Sequence, residues 1–243
     1  MSVFRFCLNG CEKSKLEDKK FLDKPVLFVH GFLGSIFSWF YNEQSIPLQF
    51  IDKGYDVWIV NLRGNLFSWS HRDPKISPKE FFDYNFHIHG EVDIPTVYEN
   101  ILRITKEDKI TLVGNSLGGL FSIHTLTNET TTEYINKHTE RVLLVAPAIF
   151  LGYAEDPYIA KKLYTTEEID DILVKANEMK IYHFGTGCFN TDAKEYQKVI
   201  KYAEKKYGGY DFTKSSLFIL DGVQDNFMNK VAYPELHKFI FPF

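Results

Sequence analysis

Gly114-Asn115-Ser116-Leu117-Gly118 carries the strongest chemical signal in the chain. A hydroxyl is a poor nucleophile until a base takes its proton and donors receive the developing oxyanion, so a serine gains reactivity from where the backbone holds it. The apolar run 109–113 leads straight into Gly114, and a helical stretch opens at Leu117. Strand, sharp turn, helix is the setting that a nucleophile elbow demands. The serine of such an elbow is strained, and side chains two residues to either side would strike the backbone, which accounts for glycine at 114 and 118. A chance Gly-x-Ser-x-Gly in a loop would lack these flanks.

The start of the helix leaves backbone N–H groups pointing at the hydroxyl, and that of Leu117 is one candidate oxyanion donor. A second must come from another loop. His30-Gly31-Phe32-Leu33-Gly34 closes the first apolar run of the core and offers the N–H of Phe32; the alternative is a glycine-rich turn with no catalytic part. His30 precedes the serine and sits where the strand is still buried, so it is expected to orient the loop and not to act as base.

The elements that must position these groups are legible as short apolar runs at 25–29, 55–60, 109–113, 141–145 and 216–220. They read as buried parallel strands. Helical stretches lie between them at 46–53, at 91–106 with Ile94, Val97, Ile101 and Ile104 on one face, and at 117–126. Strand–helix alternation predicts a mostly parallel sheet covered on both faces, with the loops at the strand C-terminal ends along one rim. From about 152 to 209 the strand rhythm stops. Two amphipathic helices, 166–180 and 192–206, are expected there around the aromatic and glycine stretch 181–189, forming a small cap over the rim.

At 243 residues the chain can bury one core, and one domain over 1–243 is expected. A net charge of -4 without basic runs gives no pull toward a phosphate backbone, so nucleic acid is not an expected partner. Cys7, Cys11 and Cys188 are too few for a disulfide framework and read as ordinary thiols. His87-Ile88-His89 has no third ligand near it, and neither metal nor other cofactor is expected. No signal-peptide core stands in the first twenty residues, and no apolar run reaches the roughly 18 to 20 residues of a membrane span. An intracellular, cytoplasmic protein with at most peripheral contact with a lipid surface is expected. Asn128-Glu129-Thr130 is a glycosylation sequon, meaningful only in a secretory protein.

Taken together, these motifs resemble the acid lipase family, the gastric and lysosomal acid lipases of the α/β-hydrolase superfamily. The likeness runs from Lys24 to Tyr153 through His30–Ser35, Gly54–Trp58, Asn61-Leu62-Arg63-Gly64-Asn65, Phe81–Phe86, Asp93-Ile94-Pro95, the Ser116 turn and Ala146-Pro147-Ala148. The resemblance implies an α/β-hydrolase fold, Ser116 as nucleophile, and the N–H groups of Phe32 and Leu117 as oxyanion hole. The family usually has Leu and Gln at these two positions; both donors are main-chain, so the substitutions touch the acyl pocket and not the hole. Secretory or lysosomal residence is common among such relatives.

Beyond Tyr153 the likeness thins. Tyr207–Thr213 resembles the family's approach to the strand before the triad acid, which then falls at Asp225, with Asp221 as the competitor at the strand end. His237, followed by an apolar run, resembles the family's triad histidine. Only eleven residues, Asn226 to Leu236, separate it from Asp225, where the family has a helix and a strand. Eleven residues reach roughly 35 Å when extended, so a contact with Ser116 is within range. The other reading of His237 is a solvated histidine on a tail, with His183 as a distant second candidate for the base. The chain therefore reads as a serine ester hydrolase acting on a small apolar or lipid ester, and alternatively as a non-catalytic binding protein or complex subunit of the same fold that has lost its histidine. A shortened cap and C-terminus, or an incomplete copy of a longer lipase, go with these readings.

Overall fold

The computed structural model describes residues 1–7, 24–40, 43, 45–145 and 147–148, and the backbone of 181–185 and 217–219. Seven strands form one sheet in the order β1-β3-β2-β4-β5-β6-β7. They are β1 (Ser2–Phe6), β2 (Pro25–Val29), β3 (Asp56–Asn61), β4 (Ile110–Asn115), β5 (Thr139–Val145), β6 (Ile181–Gly185) and β7 (Leu217–Ile219). All neighbours run parallel except β1, which lies antiparallel on β3 at the edge. The five runs read from the sequence are β2, β3, β4, β5 and β7, displaced by no more than two residues at either end.

Strand residues alternate between two cores. Leu27, Val29, Trp58, Val60, Leu112, Val142 and Leu144 face one, while Val26, Phe28, Val57, Ile59, Val113, Leu143 and Val145 face the other. Both sets are fully buried, so the sequence shows continuous apolar runs where an exposed sheet would alternate with polar residues. On the second face α1 (Ile46–Asp52) packs Phe50 edge-on against Phe28 at 5.6 Å, and Trp39 approaches Phe28 at 4.9 Å. Burying a ring of this size contributes on the order of 2–3 kcal/mol.

The first face is covered by α3 (Ile94–Thr105), α4 (Leu117–Thr127) and α5 (Thr132–Lys137). A short α2 (Pro78–Phe81) lies in the connection that leads to them. On α3 the buried positions are Ile94, Val97, Tyr98, Ile101 and Thr105. Ile104, expected on that face, is exposed, and Tyr98 fills the space with its hydroxyl 3.2 Å from Thr139 Oγ1. The expected helix start at 91 also divides: His89–Asp93 form a wider i→i+5 turn before α3. Pro95 in the first turn of α3 donates no hydrogen bond to that turn.

Three readings change. The edge strand β1 was not expected, because a five-residue segment half open to solvent lacks an apolar run. Ile181–Gly185, read as part of the cap, is a strand of the central sheet paired with β5; the remainder of 152–209 lies outside the described residues. Cys7 is disulfide-bonded and not an ordinary thiol. Cys11 and Cys188 lie outside the described residues. Among the described residues no helix is long and apolar enough to cross a membrane.

Candidate active site

The order of strands puts a crevice where chemistry can be placed. From β2 the chain steps to β3 on one side, then returns to lay β4 on the other side of β2. In open α/β sheets ligands bind at the C-terminal ends of the strands that flank such a reversal. Val29 and Gly114 are paired at the ends of β2 and β4, so the His30 and Ser116 loops leave the sheet side by side.

Ser116 occupies φ 52, ψ -122, a region that side chains rarely adopt. Three hydrogen bonds hold it there: its N–H donates to Val145 O (3.0 Å), and its carbonyl accepts from Gly119 N–H (2.9 Å) and Ala148 N–H (3.0 Å). The flanking glycines have the steric cause anticipated. A Cβ at 114 would meet Gly118 O and Ser122 Oγ at 2.6 Å, and one at 118 would run into Val29 O and His30 O. Half-buried, Ser116 lies directly before Leu117, the first residue of α4, whose N–H has no partner within the helix.

Gly31 brings the second loop against the serine. A Cβ there would lie 2.7 Å from Ser116 Cβ, so Phe32 stands one residue from direct contact with the nucleophile turn. The Gly31 carbonyl accepts from Gly34 N–H (3.1 Å) and from His30 Nδ1–H (2.7 Å). The Gly31–Phe32 peptide is trans, so fixing its carbonyl also fixes the opposite direction of Phe32 N–H. Charge drawn from that carbonyl polarises the same N–H.

His30 is the loop-orienting residue anticipated from its position. Leu62 N–H donates to its Nε2 (3.2 Å), so Nε2 is unprotonated and Nδ1 carries the hydrogen given to Gly31. Both nitrogens are therefore used by the neutral imidazole. Burial pushes its pKa down to about 4 from 6.5; the Gly31 hydrogen bond opposes that shift, and His89 adds to it.

Because the folded value lies below the unfolded one, the unfolded chain binds the extra proton between pH 6.5 and 4, and stability falls as pH falls through that window. The full span corresponds to about 3 kcal/mol. Denaturant midpoints measured from pH 7 to 4 are expected to decline, with a flatter profile in His30→Gln; equal slopes in both proteins would contradict the assignment.

The Asn61–Asn65 stretch, whose role the sequence did not disclose, braces the same loop. Asn61 Oδ1 accepts from Ile36 N–H (2.8 Å), and Asn65 Nδ2–H donates to Gly34 O. Arg63 forks onto Asp93 through Nε (2.9 Å) and Nη2 (2.5 Å), and Asp93 Oδ2 holds His89 Nδ1 at 2.8 Å. The His89 ring lies 5.9 Å from Phe86, which meets Phe32 edge-on at 6.1 Å. An ion pair on a buried carboxylate thus connects through tilted and edge-on rings to the Phe32 loop. Burial raises the Asp93 carboxyl, but hydrogen bonds and charge from His89 and Arg63 outweigh it and hold the group below the ordinary carboxylate range.

Of the five residues singled out in sequence, Ser116, Phe32 and Leu117 converge at the ends of β2 and β4, whereas Asp225 and His237 lie outside the described residues, as does Asp221. For His183 the backbone is described, in β6.

Comparison with known proteins agrees with this arrangement. The family model described as alpha/beta hydrolase fold matches residues 24–171. A probable lipase of Schizosaccharomyces pombe is 30% identical over 197 residues, 78% of this chain and 39% of that protein. The gastric triacylglycerol lipase of Mus musculus is 32% identical over 140 residues, 56% of this chain and 34% of the mouse protein. The chain thus spans less than two-fifths of the length of either relative. Among solved structures, a putative aryl esterase from Burkholderia cenocepacia superposes with a TM-score of 0.58 at 17% identity, covering 98% of this chain and 93% of that one, a likeness of fold. The chain belongs to the alpha/beta hydrolase fold family and, within it, is similar to the acid lipases.

Proposed function

We propose that this protein is a serine ester hydrolase that cleaves an apolar carboxylic or lipid ester through an acyl-enzyme at Ser116. The observation that carries this reading is the strained Ser116 turn, held by three backbone hydrogen bonds beside a loop whose peptide is fixed by His30. Strain of this kind costs about 1–3 kcal/mol and is retained where it positions a reacting group. In the proposed reaction Ser116 Oγ attacks the ester carbonyl as His237 takes its proton, with Asp225 fixing the imidazole. The N–H groups of Phe32 and Leu117 receive the oxyanion. The alcohol leaves with the proton returned by His237, and water releases the acid by the same steps.

The substrate class rests on the lipase names of the relatives and on half-buried Phe32 beside the serine turn, which packs on the buried ring of Phe86. The segment 152–209, apart from β6, is proposed as a cap that adds apolar contacts over the Phe32 loop. For location, the disulfide at Cys7 favours an oxidising compartment over the cytoplasm expected from sequence.

The test is the base. His237→Ala is expected to lower kcat on a short-chain nitrophenyl ester by on the order of a thousandfold or more with little change in KM. Asp225→Asn should be far more damaging than Asp221→Asn. Unchanged turnover in His237→Ala would remove it from the mechanism and pass the role to another histidine, with His183 the first to substitute. Loss of Ser116 labelling by an activated phosphonate in the wild-type protein would instead favour the non-catalytic reading.

A further inference from the structure

Cys7 is disulfide-bonded, and the 243 residues hold two further cysteines, Cys11 and Cys188. The sheet decides between them. Cys7 follows β1 directly, and the register that pairs Phe6 with Val57 sets Cys7 beside Asp56, the first residue of β3. Its Sγ lies 3.2 Å from Asp56 Oδ1, and Arg5 forks onto both oxygens of the same carboxylate at 2.8 Å. Arg5 also lies 4.9 Å over the ring of Trp58. The sulfur is thus held at the outer edge of the sheet, at the N-terminal end of its parallel strands.

Cys188 belongs to the opposite corner. It comes three residues after Gly185, the last residue of β6. Five strand-to-strand steps separate β1 from β6 in the order β1-β3-β2-β4-β5-β6, roughly 24 Å at about 4.8 Å each. Along the strands, Val57 is level with Val26, Thr111 and Arg141, and Ile181 is level with Val142. Gly185 therefore stands five residues beyond the level of Val57, roughly 16 Å at about 3.3 Å per residue. The two corners are roughly 29 Å apart on these spacings. Three extended residues span at most about 11 Å, and a disulfide joins Cα atoms no more than about 7 Å apart, about 18 Å in all. Cys188 falls short. Cys11 is four residues from Cys7, and Asn9-Gly10 between them is a dipeptide suited to reversing the chain.

From this geometry we propose that Cys7 and Cys11 form a disulfide that closes a five-residue ring directly after β1, and that Cys188 keeps its thiol. When the ring closes, two S–H bonds break and one S–S bond forms. Two protons and two electrons leave; the electrons go to a protein or small-molecule disulfide, which is reduced to two thiols by exchange through a mixed disulfide. The ring stands at the end of the sheet away from Ser116, which follows the last residue of β4.

The full chain, made behind a secretory leader so that it folds in an oxidising compartment, tests the pairing. It is denatured without reductant, alkylated and digested with trypsin. Cleavage after Arg5 and Lys13 leaves both cysteines in the peptide Phe6–Lys13, while Cys188 falls in Ile181–Lys194. The expected result is a Phe6–Lys13 peptide two hydrogens lighter than the dithiol and without label, beside a labelled Ile181–Lys194. Reduction before alkylation should label both Cys7 and Cys11. In Cys188→Ser the Phe6–Lys13 peptide should be unchanged. Label on Cys7 in folded, unreduced wild-type protein, a bond from Cys7 to Ile181–Lys194 or to a second chain, or loss of the ring in Cys188→Ser would overturn the proposal.

Discussion

Ser116→Ala is expected to lose on the order of 10⁵-fold or more in ester turnover while its thermal midpoint stays close to that of the wild type. The hydroxyl is the only atom removed, and alanine meets the same backbone strain at φ 52 that serine does. Ser116→Gly should separate the two contributions. It is equally inactive, but glycine adopts positive φ without steric cost, so the protein should gain about 1 kcal/mol once the added freedom of the unfolded chain is set against the relief. Activity assays and denaturant titrations of the three proteins check both statements. A stable, inactive glycine variant beside an alanine variant of wild-type stability is the signature of strain kept for function; a glycine variant less stable than the alanine one would show that the turn is not strained as described.

The second large effect concerns Asp93. Its side chain is fully buried and shared by the Arg63 fork and His89. Asp93→Ala leaves the Arg63 guanidinium and the His89 ring without their carboxylate, and breaking a buried pair from one side costs about 3–5 kcal/mol. Arg63 is a third exposed and can recover water, which places the expected loss nearer about 3. The wild-type contribution has its own pH signature. A carboxyl held below its unfolded value contributes stability above that value and loses it as pH falls through the folded one, below the range in which His30 acts. Urea denaturation at neutral pH measures the loss directly. A difference under about 1 kcal/mol would mean that the network from Arg63 to the Phe32 loop bears little of the fold.

Much of this arrangement was legible in the residues. Runs such as Val26–Val29 and Leu112–Val113 are apolar at every position because both faces of the sheet are covered, and that continuity makes the parallel strands readable. The Ser116 turn was legible because its glycines answer to backbone collisions within a few residues. β1 was not, since a half-exposed edge strand draws its order from pairing with β3 and not from its own pattern. β6 was hidden because five residues rich in aromatics read equally well as cap or as strand; only the neighbouring β5 decides between them. The bracing of the Phe32 loop by Asn61, Asn65 and Leu62 N–H is a set of side-chain and main-chain bonds across more than twenty residues, which spacing along a chain does not encode. The expectation for Ile104 failed for a similar reason, as Tyr98 packs toward Thr139 in its place.

Reaction with a fluorophosphonate probe, followed by mass spectrometry of the labelled peptide, tests the central claim most directly, because labelling requires an activated serine and not the right ester. The expected result is a single adduct on Ser116, absent in Ser116→Ala and strongly slowed in His237→Ala. Folded wild-type protein that takes up no label at Ser116, or carries it on another serine, would contradict the account.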